Sequence, residues 1–454
     1  MIRNINFCAI LLIVLMAPGF QGCRPAFDSE PDEYRLSKEV VHEWNLYFLE
    51  LERFTPGYRV PVTSRTYAYV SCAAWQAALP GMKGCVSLDR FCPGASKPES
   101  APAAFYLPAS LNAAYAEIMR QFFPTAPAHL LERLNLLEDE LSQRLSAETQ
   151  AAVYKQSAAY GKKCALAVWR WSVSDSLGHD GFLYNFDRSY TPPNCTGCWE
   201  PDKSHSTPAL LPYWGRVRSF IVRPDEVVVK NPLPVDDRSG SPYYAETLEV
   251  FAISQPLTKE NKWIAEFWSD DIPGLTISPA GRWVSIATQA VETARLPLPE
   301  VLEMNVKLGF AMADAIIICW EAKYRFNRER PVTAIRRLLQ PDWNPLHDNP
   351  SFPSYPSGHS TLGAAAAAVL THSLGENFEM TDRTHINRRE FNGDARTFGS
   401  FAEMARENAI SRIALGVHFR MDCEEGLRIG RVVGQKVAGL PLNSGEVSIG
   451  FKSE

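Results

Sequence analysis

Apolar and small residues recur every three to four positions along most of this chain, the spacing of one buried helical face. The stretches "SRTYAYVSCAAWQAAL" (64–79), "LNAAYAEIMRQFF" (111–123) and "LLERLNLLEDELSQRL" (130–145) carry that period in the first third. It is lost from Asp175 to about Asn231, where Pro, Gly, Cys and aromatic residues dominate, and this reads as a long ordered excursion. From Tyr243 the helical period returns through "KENKWIAEFWSDD" (259–271), "GRWVSIATQAVETARL" (281–296) and "PEVLEMNVKLGFAMADAIIICWEAKYRF" (299–326). Further helices are predicted over 358–374, 402–415 and 419–440. Strand signals are few. The pattern predicts an all-α protein: two packed helical bundles in one globular unit, with long ordered loops. We place an N-terminal helical part with its loop excursion at 38–240, a C-terminal bundle at 241–442 and a tail at 443–454.

The first residues follow a different logic. Arg3 precedes a short apolar run, Phe7 to Ala17, then small residues and Cys23, then a polar acidic stretch. Residues 1–23 read as an export signal and 24–37 as a linker, so the chain is expected in the periplasm, secreted or anchored to an outer membrane. "GFQGC" loosely resembles a lipoprotein cleavage box, which makes Cys23 a candidate lipid anchor. No interior apolar run reaches membrane length.

Charge and cysteine content narrow the function. Among 454 residues the net charge is −5, and no Lys/Arg block appears, which argues against nucleic acid as a partner. An anion site must therefore be a local concentration of cations. Cys85/Cys92 and Cys195/Cys198 are close pairs in turn-rich segments and candidate disulfides in an exported protein. The lack of a histidine at ligand spacing argues against zinc. Cys319, in an apolar helix, reads as core. Asp314 interrupts the same helix and requires a buried partner.

One constellation stands out. Ser357, Gly358 and His359 open a helix. Helix N-termini present unpaired N–H groups and positive potential to anions, and glycine lets a ligand approach the backbone. Upstream, Lys323 and Arg330 lie seven residues apart, two turns of one helix. Downstream, Gly416 separates Arg412 from His418, and Asp422 follows one turn later as an acceptor for the His418 ring. Three cations, two histidines and an amide-and-hydroxyl cradle suit a multiply charged oxyanion. His347, His372, His385, His179 and His205 lack such partners and read as surface or capping residues.

Lys323-x6-Arg330-Pro331, Pro356-Ser357-Gly358-His359 and Ser411-Arg412-x5-His418-x3-Asp422 together resemble the signature shared by vanadium-dependent haloperoxidases and type-2 phosphatidic acid phosphatases. The resemblance implies vanadate as cofactor, one vanadium per chain, with hydrogen peroxide and a halide as substrates. It implies that His418 ligates vanadium and that Lys323, Arg330, Arg412, Ser357 and the Gly358 amide hold its oxygens. His359 would be the acid–base group, and Asp422 would steer His418. Trp320 and Phe352 resemble the halide-side wall of haloperoxidases. "FWSDDIPGLTISPAGRW" resembles another haloperoxidase stretch and puts Asp271 where an acidic residue assists an arginine. Within the family the bacterial iodide-oxidising branch fits best, with bromide open. The alternative is an exported acid phosphatase working through a phosphohistidine.

Overall fold

The computed structural model describes residues 30–92, 95, 100–201, 207–270, 272 and 274–443. The proposed export signal with Cys23 lies outside them, as does all of the tail after Asn443. Among the described residues fourteen α-helices account for nearly all regular structure, as the periodicity predicts. The N-terminal helices are α1 (Asp32–Phe54), α2 (Val60–Ala78), α3 (Leu107–Phe122), α4 (Ala128–Ser146), α5 (Ala151–Val173) and the short α6 (Ser176–His179). After the excursion come α7 (Pro242–Ser254), α8 (Lys259–Phe267), α9 (Pro279–Ala294), α10 (Leu298–Phe326), α11 (Pro331–Leu338), α12 (Gly358–Leu374), α13 (Phe401–Ala414) and α14 (Arg420–Ala438). Five three-residue 3-10 helices and two antiparallel strand pairs complete the list, the pairs being β1 (Phe186–Asp187) with β2 (Ala209–Leu210) and β3 (Met380–Asp382) with β4 (Arg396–Phe398).

Helix α10 joins the two halves. It packs against α2 of the first and against α12 and α14 of the second. It is buried on nearly every face, which is the place for a helix apolar all round. One hydrophobic cluster accordingly runs from Val40 to Leu442.

The two helices that carry the Ser-Gly-His and His-x3-Asp segments meet along a glycine seam. On α14, Gly426, Gly430 and Gly434 face the α12 backbone at one-turn intervals. A Cβ at these positions would stand 2.8, 2.1 and 2.5 Å from the carbonyl oxygens of Ser357, Thr361 and Ala365. The missing side chains let the helices touch and fix their axial register. That contact sets the first turn of α12 against the first turn of α14, where Ser357 N–H donates to the Asp422 carbonyl at 2.9 Å.

Asp314 has the buried partner its position demands. Its Oδ1 accepts from Phe220 N–H (2.7 Å), and its Oδ2 from Ile221 N–H (2.8 Å) and Val222 N–H (2.7 Å). Burial pushes the carboxyl up to about 7, and the three amides pull it back. The loop excursion is thereby pinned to α10. A second pin is "NCTGCW". Cys195 and Cys198 are disulfide-bonded. Glu329 N–H donates to Gly197 O (2.9 Å) and Trp199 N–H to Asn327 O (2.8 Å). Cys85 and Cys92, by contrast, are free thiols. Cys92 is buried facing the Phe220 carbonyl at 3.6 Å, and Cys85 bridges to Asn443 instead.

One local expectation is corrected. Lys323 and Arg330 do not share a helix. Helix α10 ends at Phe326, Asn327 turns left-handed (φ 45°), and Arg330 is the N-cap of α11. Left-handed Asn327 ends α10, and Pro331 keeps Arg330 extended, because proline disfavours the helical conformation in the residue before it.

Two substitutions test these devices. Gly430→Ala forces a methyl group into the Thr361 carbonyl and should cost about 1–3 kcal/mol or more in thermal denaturation. Gly439→Ala, whose Cβ would meet nothing nearer than 3.6 Å, should be near neutral. Asp314→Ala leaves three buried N–H groups without acceptors, each costing about 1–3 kcal/mol. Amide exchange at residues 220–222 should accelerate, and more than in Asp314→Asn.

Candidate active site

The three cations are all buried, and each is held by main-chain carbonyls. Lys323 Nζ donates to Pro353 O (2.9 Å) and Ser354 O (2.8 Å). Arg330 donates through Nε to Phe352 O (3.0 Å) and through Nη1 to Val417 O (2.8 Å). Arg412 donates through Nη2 to Trp268 O and through Nε to Ser411 Oγ (2.9 Å). Carbonyls solvate a cation without cancelling its charge. The result is a strongly positive interior, and burial with the nearby Arg330 lowers Lys323 to about 7.

The two histidines sit inside this field. His418 Nδ1 lies 2.9 Å from Asp422 Oδ2, and its Nε2 lies 3.2 Å from Arg330 Nη1. Since Nδ1–H donates to the carboxylate, Nε2 carries the lone pair and points toward the cations. Asp422 Oδ2 also accepts from Phe419 N–H (3.1 Å) and from the Ser354 hydroxyl. Burial raises this carboxyl to about 6, while the Ser354 and Phe419 donors and Lys323 oppose the rise. His359 Nε2 lies 3.2 Å from Arg412 Nη1. Both rings are held neutral: burial lowers them first, then Arg412 for His359 and Arg330 for His418.

A cavity of about 460 Å³ opens onto Gly358, His359, Arg412 and His418, with Trp320 and Phe352 in its wall. Those two rings stand 5.0 Å apart, and Lys323 Nζ lies 5.0 Å over the Phe352 ring. Lys323, Arg330 and Ser357 are buried one contact behind the cavity surface, Arg330 through His418 and Ser357 as N-cap of α12. The spacing thus brings together every predicted residue except Asp271, which lies outside the described residues.

Several contributors were missed in the sequence. Ser354 bridges toward His418 Nδ1 (3.3 Å) and Asp422, but a serine in "PSFPSYPS" gives no signal. His347 lines the cavity, contrary to its expected surface role, because the turns after α11 fold over the site. His385 is likewise buried rather than superficial. It lies between the Phe267 carbonyl (2.9 Å) and Arg282, which is itself paired with Asp382 at 2.8 Å and stacked on Phe267 and Trp268. This cluster supports the Trp268 carbonyl that holds Arg412. His372 is exposed near the end of α12, His179 ends α6, and His205 is outside the described residues.

Comparison with known proteins agrees with this geometry. Residues 303–342 and 339–442 match the family model for the VCPO second helical-bundle domain. That match lies within the C-terminal bundle and includes all the predicted cation, histidine and Ser-Gly positions. The chain is 29% identical to the vanadium chloroperoxidase of Curvularia inaequalis over 25% of its own length and 26% of that protein's. It is 33% identical to the vanadium-dependent bromoperoxidase of Ascophyllum nodosum over 19% and 17% of the two lengths. It therefore matches about a quarter or less of these curated relatives. Across the whole fold, the crystal structure of a bacterial vanadium-dependent iodoperoxidase superposes with a TM-score of 0.75 at 27% identity, covering 90% of this chain and 96% of that one. A bacterial vanadium-dependent chloroperoxidase shares the fold at TM-score 0.65 and 18% identity, over 85% and 92% of the two chains.

The residues gathered here fit a vanadate. A neutral imidazole Nε2 faces Arg330, with Lys323 and Arg412 nearby, and Asp422 accepts on the other side of the ring. Binding should follow pH through Lys323. With the anion absent its pKa is depressed, so above about 7 the ammonium is lost and binding must take a proton back. Vanadate affinity, read by thermal shift, should fall as pH rises through that range. Lys323→Arg, which cannot deprotonate, should remove that part of the slope, and Lys323→Met should weaken binding by about 10–100-fold.

Proposed function

We propose that the protein is a vanadate-dependent haloperoxidase that uses hydrogen peroxide to oxidise iodide to hypoiodous acid. One observation carries the reading: His418 Nε2, its lone pair fixed by Asp422, faces Arg330 at the edge of a cavity walled by Trp320 and Phe352. The cofactor would be held by His418 Nε2, with Lys323, Arg330, Arg412, the Ser357 hydroxyl and the Gly358 N–H on its oxygens. Bound vanadate supplies Lewis-acid activation of the peroxide at constant oxidation state.

The chain's own groups do the rest. His359 Nε2, kept neutral by its cationic neighbours, accepts a proton from incoming hydrogen peroxide and returns one to the departing oxygen. Asp422 holds the His418 tautomer. Trp320 and Phe352 exclude water and offer a polarisable wall to a large, weakly hydrated halide. Iodide is favoured because it is the halide most easily oxidised, and because the bacterial iodoperoxidase resembles this chain over 90% of its length. The apolar N-terminal run followed by an acidic linker supports export as the setting.

The test is an assay of the purified protein with and without orthovanadate. Vanadate-dependent iodide oxidation should be lost in His418→Ala and lowered about 10²–10⁴-fold in His359→Ala. Hydrolysis of a phosphomonoester with no vanadate-dependent iodide oxidation would overturn the reading in favour of an acid phosphatase.

A further inference from the structure

All 16 tyrosines lie among the described residues, and only Tyr184 (71% exposed) and Tyr213 (39%) are exposed. Both line the same groove, of about 720 Å³. Phe186 belongs to that groove and to the wall of the active-site cavity alike, so the two spaces adjoin. The junction is firmly built. Strand β1, which carries Phe186, pairs with β2, and the β2 residue Leu210 accepts hydrogen bonds from Trp320 Nε1 (3.3 Å) and the Tyr324 hydroxyl (2.6 Å). The outlet thus shares a wall with Trp320.

We propose that hypohalous acid leaves the cavity past Phe186 into this groove and iodinates the enzyme's own Tyr184. This rests on the haloperoxidase reading. The step balances: the electrophilic iodine of HOI forms a C–I bond ortho to the phenol oxygen, the I–O bond breaks, and the displaced ring proton joins the departing hydroxide as water. Tyr184 is the preferred target. Tyr213 lies beneath the Arg216 guanidinium at 5.0 Å, and a cation over the ring face draws on the electron density the reaction needs. The remaining tyrosines are partly or fully buried.

The experiment uses the full chain loaded with orthovanadate, with hydrogen peroxide, iodide and excess free phenol, followed by peptide mapping by mass spectrometry. A parallel arm gives vanadate-free protein an iodine–iodide reagent in the same phenol excess. Turnover should label Tyr184 despite the phenol, whereas the bulk reagent should label the phenol and spare Tyr184. In Tyr184→Phe the label should be lost there and move to Tyr213, with phenol iodination unchanged. Iodinated phenol beside unlabelled Tyr184, or equal labelling in the two arms, overturns this inference and leaves the haloperoxidase reading standing. Iodination of neither acceptor under turnover overturns both.

Discussion

Keeping three cations close together in a protein interior is the constraint on which the rest of this structure depends. Removing an ion from water costs several kcal/mol even after relaxation. Here Lys323, Arg330 and Arg412 are solvated by the carbonyls of Phe352, Pro353, Ser354, Val417 and Trp268. A hydrogen bond to a charged group recovers roughly 1.5–3 kcal/mol, so a few of them meet much of the cost without neutralising the charge. Burial first, and the neighbouring cations after it, keep His359 and His418 unprotonated, and the cluster suits an oxyanion.

Those carbonyls must be held in place, and the helices do so. Helix α10 delivers Lys323 from the centre of the molecule, and its Asp314 grips the excursion at 220–222. The glycine seam between α12 and α14 positions the Ser357–His359 turn against His418 and Asp422. Arg282, Asp382 and His385 support Trp268 from below. The site is thus a meeting point of loops whose placement is fixed by buried helices on every side.

Much of this could be read from the chain itself. The helices follow from their period, and α12 begins and ends where the pattern places it. The oxyanion constellation was legible because side-chain chemistry at fixed spacing survives any detail of backbone path. The failures share one cause. Ser354, His347 and the Arg282 cluster act through tertiary contacts between segments far apart in sequence, which no local period encodes. The Lys323–Arg330 spacing suggested a common helix, although Pro331 already favoured a break there. The Cys85/Cys92 pair looked bonded by proximity along the chain, but the backbone carries Cys92 inward to Phe220 and Cys85 outward to Asn443.

The carbonyl clamp has an evolutionary corollary. Arg330 is anchored by the peptide oxygen of residue 352 and also lies 4.9 Å over the ring of that residue. Any amino acid at that position presents the same oxygen. A change in the cavity wall there therefore spares one anchor of the guanidinium and removes the other, so drift in selectivity at this position is felt by Arg330 and Lys323 through the lost ring but not through the lost backbone.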